Sequence, residues 1–310
     1  MQRGSTPAQA AAALAAGGLV ILPTETVYGL AADAAQASAV ARLFEAKGRP
    51  RFNPLIAHVA NLPAARRLAT LDERAEALAQ AFWPGPLTIV APYVGGAAVC
   101  DLARAGLDTI ALRVPAHPFA RSTLGQFGGP VVAPSANRSG RPSPTTFEDA
   151  MEETGFAAAA AVDGGPCPVG LESTVVACLD GQPRLLRPGG LDRAAIEAVV
   201  GPLAEAETDA KRSPGRLARH YAPSVPVRLD ATAPEPGEAF LAFGPGGPDG
   251  PFVWNLSPAG DVREAAIHLF AALRAADRAH PRGIAVASIP AYGLGEAIND
   301  RLKRAAGFVG

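Results

Sequence analysis

Cysteine is scarce: Cys100, Cys167 and Cys178 are the only three in 310 residues, and none stands in a CxxC spacing. Three cysteines cannot all pair, so neither a disulfide framework nor a zinc ribbon is supported, and a reducing, cytoplasmic setting fits best. Net charge is almost absent too. The 28 Lys plus Arg and 29 Asp plus Glu leave −1, which excludes a globally basic nucleic-acid binder but permits a local basic groove. No apolar run reaches the roughly 18 uninterrupted residues of a membrane span. The apolar stretch 10–22 behind Arg3 imitates a signal peptide. Thr6, Pro7 and Gln9, however, make a capping-box helix start and Gly17 and Gly18 a stop, so 7–16 reads as a short helix and 19–22 as a buried strand. No glycine-rich phosphate loop follows a predicted strand, GxSxG is missing, no internal repeat is visible, and the five histidines are scattered without metal-ligand spacing.

What is present is a chain of two-domain length, 48% hydrophobic and 18% charged, well able to bury a core. Strands are predicted at 19–22, 55–59, 87–91, 109–114, 131–133 and 173–179, reading as one sheet. Helix patterns at 37–46, 72–82 (started by Thr70 and Glu73), 146–153 and 192–200 lie between or beside them. Asp180 and Gly181, between Val175-Val176 and Leu185-Leu186, signal a tight hairpin, so the sheet is expected to be mixed. Past a polar, Pro- and Gly-broken stretch, strands at 239–243, 252–255 and 283–288 alternate with helices at 262–279 and 296–306.

Five clusters carry polar chemistry. PTETVYGL (23–30) lies at a strand end, where ligands of open α/β sheets sit. KGRPRFNPLIAH (47–58) carries its cations past a helix stop into a proline-rigid loop, which suits a fixed polyanion. In TIALRVP (109–115) alternation puts Thr109, Ala111 and Arg113 on one side of the strand, and the Arg113 fork matches a carboxylate or phosphate. APSANRSGRPSPT (133–145) is a hydroxyl- and amide-rich loop. GLESTVV (170–176) and LLRPG (185–189) are brought together by the hairpin, so that Ser173, Thr174 and Arg187 face one cleft. Cations and hydroxyls without an evident acid–base pair suit phosphoryl or adenylyl transfer, where positioning and charge stabilisation do most of the work.

These clusters in this order, with FWPGPLT (82–88) between the second and third, resemble the threonylcarbamoyl-AMP synthase family over nearly the whole chain. SPGRLARHYAP (213–223) and AYGLGEAINDRLKRAA (291–306) resemble the linker and C-terminal domain of its two-domain members. The resemblance implies an α/β fold: a YrdC-like twisted mixed sheet with flanking helices at 1–204, a linker at 205–224 and a smaller Rossmann-like domain at 225–310. It implies a nucleotidyltransferase that joins L-threonine, bicarbonate and ATP into L-threonylcarbamoyladenylate and pyrophosphate, ahead of the machinery that transfers the group to tRNA. Carried over by motif, Thr26, His58, Arg113, Ala133 and Ser173 would hold threonine. Lys47, Arg49, Asn53, Thr109, Ser135, Ser143, Arg187 and Tyr221 would hold ATP with its magnesium ion. Arg216 departs from the methionine common in the linker motif. A YrdC-like RNA-binding module without synthase activity is the main alternative, and no membrane partner is expected.

Overall fold

The computed structural model describes residues 4–179, 181–205 and 220–307. Arg216, Asp180 and most of the expected linker lie outside them. Thr6 accepts from the Gln9 amide and Gln9 caps back, so the helix Pro7–Ala15 starts on a complete capping box. The strands that follow are β1 Leu19–Leu22, β2 Gly29–Asp33, β3 Ile56–His58, β4 Leu87–Pro92, β5 Thr109–Arg113, β6 Val131–Val132, β7 Ala158–Ala161, β8 Thr174–Ala177, β9 Arg184–Arg187 and β10 Ala204–Glu205. They form one mixed sheet in the order β10-β9-β8-β4-β5-β3-β6-β2-β1-β7.

Three of these strands escape the sequence patterns: the two-residue β10 and the alanine-rich β2 and β7. β2 and β7 read GLAAD and AAAA, and alanine is the best intrinsic helix former. Pairing on both sides of β1, antiparallel with β2 and parallel with β7, overrides that preference. The helix expected from Thr70 instead starts at Glu73, capped by Asp72, whose carboxylate accepts from the Ala75 amide at 2.8 Å. The antiparallel pairing expected of the hairpin holds, with Val176 opposite Leu185, but the last pair is Ala177 and Arg184, so six residues join β8 to β9, among them Asp180, which lies outside the described residues.

The second sheet is wholly parallel, with β11 Val227–Arg228, β12 Glu238–Ala242, β13 Val253–Asn255 and β14 Gly283–Val286 in the order β11-β14-β12-β13. Its core residues Ala239, Leu241, Ile284 and Val286 pack against Leu269, Phe270 and Leu273 of the helix Val262–Arg278 and Ile298 and Leu302 of the helix Gly295–Ala305. The same apolar cluster takes in Val27 and Leu171 from the first unit and Tyr221. One close approach depends on a glycine. Gly170 has φ +76°, and a Cβ there would stand 2.4 Å from the Ala266 carbonyl oxygen and the Ile267 Cα. The small unit therefore docks directly on the chain that leads into β8.

Candidate active site

The alternation read in β5 is realised. Ile110, Leu112 and Val114 enter the main core, whereas Ala111 lies on the other face with Ile56, Val90, Val175 and Leu186. On this second face the ends of β1, β3, β5, β6 and β9 and the start of β8 meet around a narrow cleft. All five residues expected to hold threonine line it: Thr26, His58, Arg113, Ala133 and Ser173. Of the eight assigned to ATP, Arg49, Ser135, Arg187 and Tyr221 line it. Lys47, Asn53, Thr109 and Ser143 are buried and do not line it, although Lys47 and Ser143 bond the lining residues Ser135 and Glu172.

Arg113 is the centre of one end. Its Nε donates to the Gly85 carbonyl (3.2 Å), Nη1 to Thr26 Oγ1 (2.9 Å) and Nη2 to Glu25 Oε1 (2.5 Å). Glu25 also accepts from the Ala116 amide at 2.9 Å. Burial pushes the Glu25 carboxyl up, but the charge and hydrogen bond of Arg113 together with backbone amides hold it below its ordinary value. The PTETVYGL segment is folded locally by Thr24, whose Oγ1 donates to the Val27 carbonyl at 2.6 Å and accepts from the amides of Thr26 and Val27. His58, opposite Arg113 in the β3/β5 register, is held down to about 3, first by burial and then by Arg113. Its imidazole is thus neutral, with Nδ1 buried and without a hydrogen-bond partner among the described residues.

Cations gather at the other end. The β8/β9 pairing brings Arg187 to the Ser173 carbonyl, 2.8 Å from Nη2, and Ser173 Oγ lies 2.7 Å from Thr88 Oγ1. Thr174, expected in the same cleft, turns away: its Oγ1 donates to the Leu191 carbonyl at 2.6 Å, because neighbours in a strand face opposite sides. Lys47, last residue of the helix Ala37–Lys47, gives its Nζ to the carbonyls of Ser135 and Asn137 and so anchors the loop after β6. Ser135 Oγ donates to Asn137 Oδ1 and Ser143 Oγ to Glu172 Oε1, each at 2.5 Å. Burial depresses the basicity of Lys47, of Arg49 (to about 10) and of Arg187, and the charge of a nearby guanidinium adds to it in each case: Arg49 on Lys47, Arg187 on Arg49, Arg301 on Arg187.

Four residues of the site were missed. His220 lines the cleft, held down to about 3 by burial, and its ring meets Tyr221 edge-on with centroids 4.0 Å apart. Arg301, from the second unit, lies with Cζ 5.2 Å from the Tyr221 ring and Nε 3.0 Å from Glu172 Oε2. Glu25 and Glu172 correct the expectation of a site poor in acids: both are buried, Glu172 lining the cleft and Glu25 behind Arg113, each bonded to an arginine. The available signal was an acidic residue inside a strand-end segment of apolar and hydroxyl residues. His220 stood beside the Tyr221 already singled out, and nothing local marked Arg301.

A family model described as "Telomere recombination" matches residues 12–189, and one described as "Threonylcarbamoyl-AMP synthase, C-terminal domain" matches 191–307. The chain is 39% identical to the threonylcarbamoyl-AMP synthase of Bacillus subtilis over 97% of this chain and 92% of that one. Its identity to the threonylcarbamoyl-AMP synthase of Pyrococcus abyssi is 40%, over 94% and 91%. The crystal structure of P. abyssi Sua5 complexed with L-threonine superposes with a TM-score of 0.90 at 39% identity, covering 97% of this chain and 94% of that one. With both units matched, and relatives of this similarity along nearly its whole length, the chain belongs to the two-domain threonylcarbamoyl-AMP synthase family.

Proposed function

We propose that the cleft is where this enzyme joins L-threonine, bicarbonate and ATP into L-threonylcarbamoyladenylate and pyrophosphate, with threonine at the Arg113 end and the nucleotide at the Arg187 end. A guanidinium has five N–H groups; the bonds to Gly85, Thr26 and Glu25 use three of Arg113's, leaving two for a substrate carboxylate. Glu25 and Thr26 fix the plane of that fork. Neutral His58, opposite Arg113 in the β3/β5 register, and the Ser173 hydroxyl, which lines the same cleft next to Arg187, receive the substrate's other polar groups. The threonine amine takes up carbon dioxide from bicarbonate, the amine proton and the bicarbonate hydroxide leaving as water, and a carbamate oxygen then attacks the α-phosphorus in line with departing pyrophosphate.

The observation that carries the nucleotide assignment is that Arg49 and Arg187 line the cleft together with Ser135, whose carbonyl Lys47 holds. A triphosphate set against cations already held in place meets them without reorganisation, which is how a preorganised site stabilises developing charge. Magnesium enters as part of the nucleotide substrate, on phosphate oxygens, as the charge of the triphosphate requires. Asn53, Thr109, Ser143 and the loop behind Ser135 frame the nucleotide from outside the cleft, and Tyr221 with His220 closes over it. The product is labile and passes to the tRNA threonylcarbamoyl transferase machinery. Among the described residues no helix is long and apolar enough to cross a membrane.

Pyrophosphate release from ATP tests the reading, with mass spectrometry of the adenylate. Release should require both threonine and bicarbonate. A rate unchanged when threonine is omitted overturns it, and RNA affinity with a steep salt slope and no turnover would favour a binding module instead.

A further inference from the structure

The loop 134–145, assigned above to ATP, is held from behind by the C-terminal unit. Glu153, fully buried at the end of the helix Phe147–Thr154, accepts from the Arg138 amide at 2.9 Å and pairs with Arg141 Nε at 3.0 Å, both in that loop. Arg274 of the helix Val262–Arg278 meets the same carboxylate, with Nη1 3.1 Å from Oε1, and its Nη2 donates to the Pro142 carbonyl in the loop itself. The arrangement repeats through Glu172. Ser143 of the loop bonds one carboxylate oxygen at 2.5 Å, and Arg301 of the helix Gly295–Ala305 bonds the other at 3.0 Å. Between them the Ala222 amide donates to the Gly140 carbonyl at 2.7 Å.

Arg274 and Arg301 are 3% and 0% exposed, and their carboxylate partners are as deeply buried. A buried ion pair adds little net stability over apolar packing, but loss of one partner strands a charge that must move or find water. Each carboxylate is shared between an arginine of one unit and the loop of the other. Displacement of either arginine is therefore felt in the loop before it is felt in either core.

We propose that the C-terminal unit is the template that sets the shape of the loop 134–145, with Arg274 and Arg301 as positioning residues acting through Glu153 and Glu172. The small unit then needs no site of its own to be required for turnover. Only the kinetic arm of the test rests on the assignment of this loop to ATP.

The test uses the full chain with Arg274→Met and Arg301→Met, followed by amide hydrogen exchange. Exchange at Ala136, Arg138 and Ser139, which donate to Tyr28, Glu153 and Lys47, should quicken while that of β4 stays as in the parent, which a merely structural loss would not produce. The KM for ATP should rise about tenfold to a hundredfold, with threonine affinity in calorimetry unchanged to within about twofold. Parental exchange at these three amides in a folded variant overturns the proposal. Should a methionine variant fail to fold, Arg274→Lys and Arg301→Lys, which keep the charge but lose the second donor, carry the same test with the same two outcomes. Quickened loop exchange with a parental KM for ATP supports the template and refutes the ATP assignment, so the two readings fail separately.

Discussion

Glu25→Gln isolates the ion pair at the threonine end. Glu25 and Arg113 have side chains 9% and 4% exposed and meet at 2.5 Å, so the variant leaves a guanidinium buried without its counter-charge. Breaking such a pair from one side costs about 3–5 kcal/mol. Glutamine keeps one acceptor oxygen, for Arg113 or for the Ala116 amide, and turns its NH2 toward the other donor, so the loss is at least the lower figure, about 3 kcal/mol. For a unit of some 200 residues that is a fall in Tm of about 6–12 °C. Threonine should recover part of it, because the substrate carboxylate supplies the missing negative charge to Arg113 and a ligand that binds only the native state stabilises it. Differential scanning fluorimetry with and without saturating threonine reads both effects. An unchanged Tm would show that the pair contributes nothing net. A gap between variant and parent that threonine fails to narrow would refute Arg113 as the carboxylate fork.

Arg113→Ala should abolish threonine binding in calorimetry while ATP binding survives; equal loss of both would separate Arg113 from the role given to it. His58 and His220 are held down to about 3, so below pH 6.5 the unfolded chain takes up a proton on each that the folded chain refuses. Stability therefore rises with pH through that window, and lowering the pH from 6.5 to 5 should cost about 2 kcal/mol for each histidine, read as a lower urea midpoint; equal midpoints would show that the rings are not kept neutral. Glu25 and Glu172, held below their ordinary 4.5, lose their contribution only at lower pH. Gly189→Ala should destabilise the fold and lower activity, since the new Cβ would stand 2.4 Å from the Glu172 carbonyl oxygen and 2.5 Å from the Thr174 nitrogen; parental Tm and turnover would count against that close approach. Serine should replace threonine at a cost of about 10–200-fold in kcat/KM, the worth of one methyl group, and a far larger ratio in pyrophosphate release would call for a further discriminating contact.

Much of this molecule is legible from local pattern, because capping, strand alternation and turn chemistry act between residues near in sequence. Thr6 with Gln9, Asp192 before Arg193–Val200 and the Thr109, Ala111, Arg113 face all read correctly for that reason. The ordered motifs also determined which residues gather: all five expected for threonine line one cleft. Alanine-rich β2 and β7 were invisible, since only pairing with β1 makes them strands. What tertiary structure alone decided is the charge balance of the site. A neutral total says nothing about which carboxylate faces which guanidinium, and the bonds of Glu25 to Arg113, Glu153 to Arg274 and Glu172 to Arg301 span 88, 121 and 129 residues of chain. Such pairs form only after the sheets and helices have packed, because the desolvation that makes them consequential is a property of the finished interior.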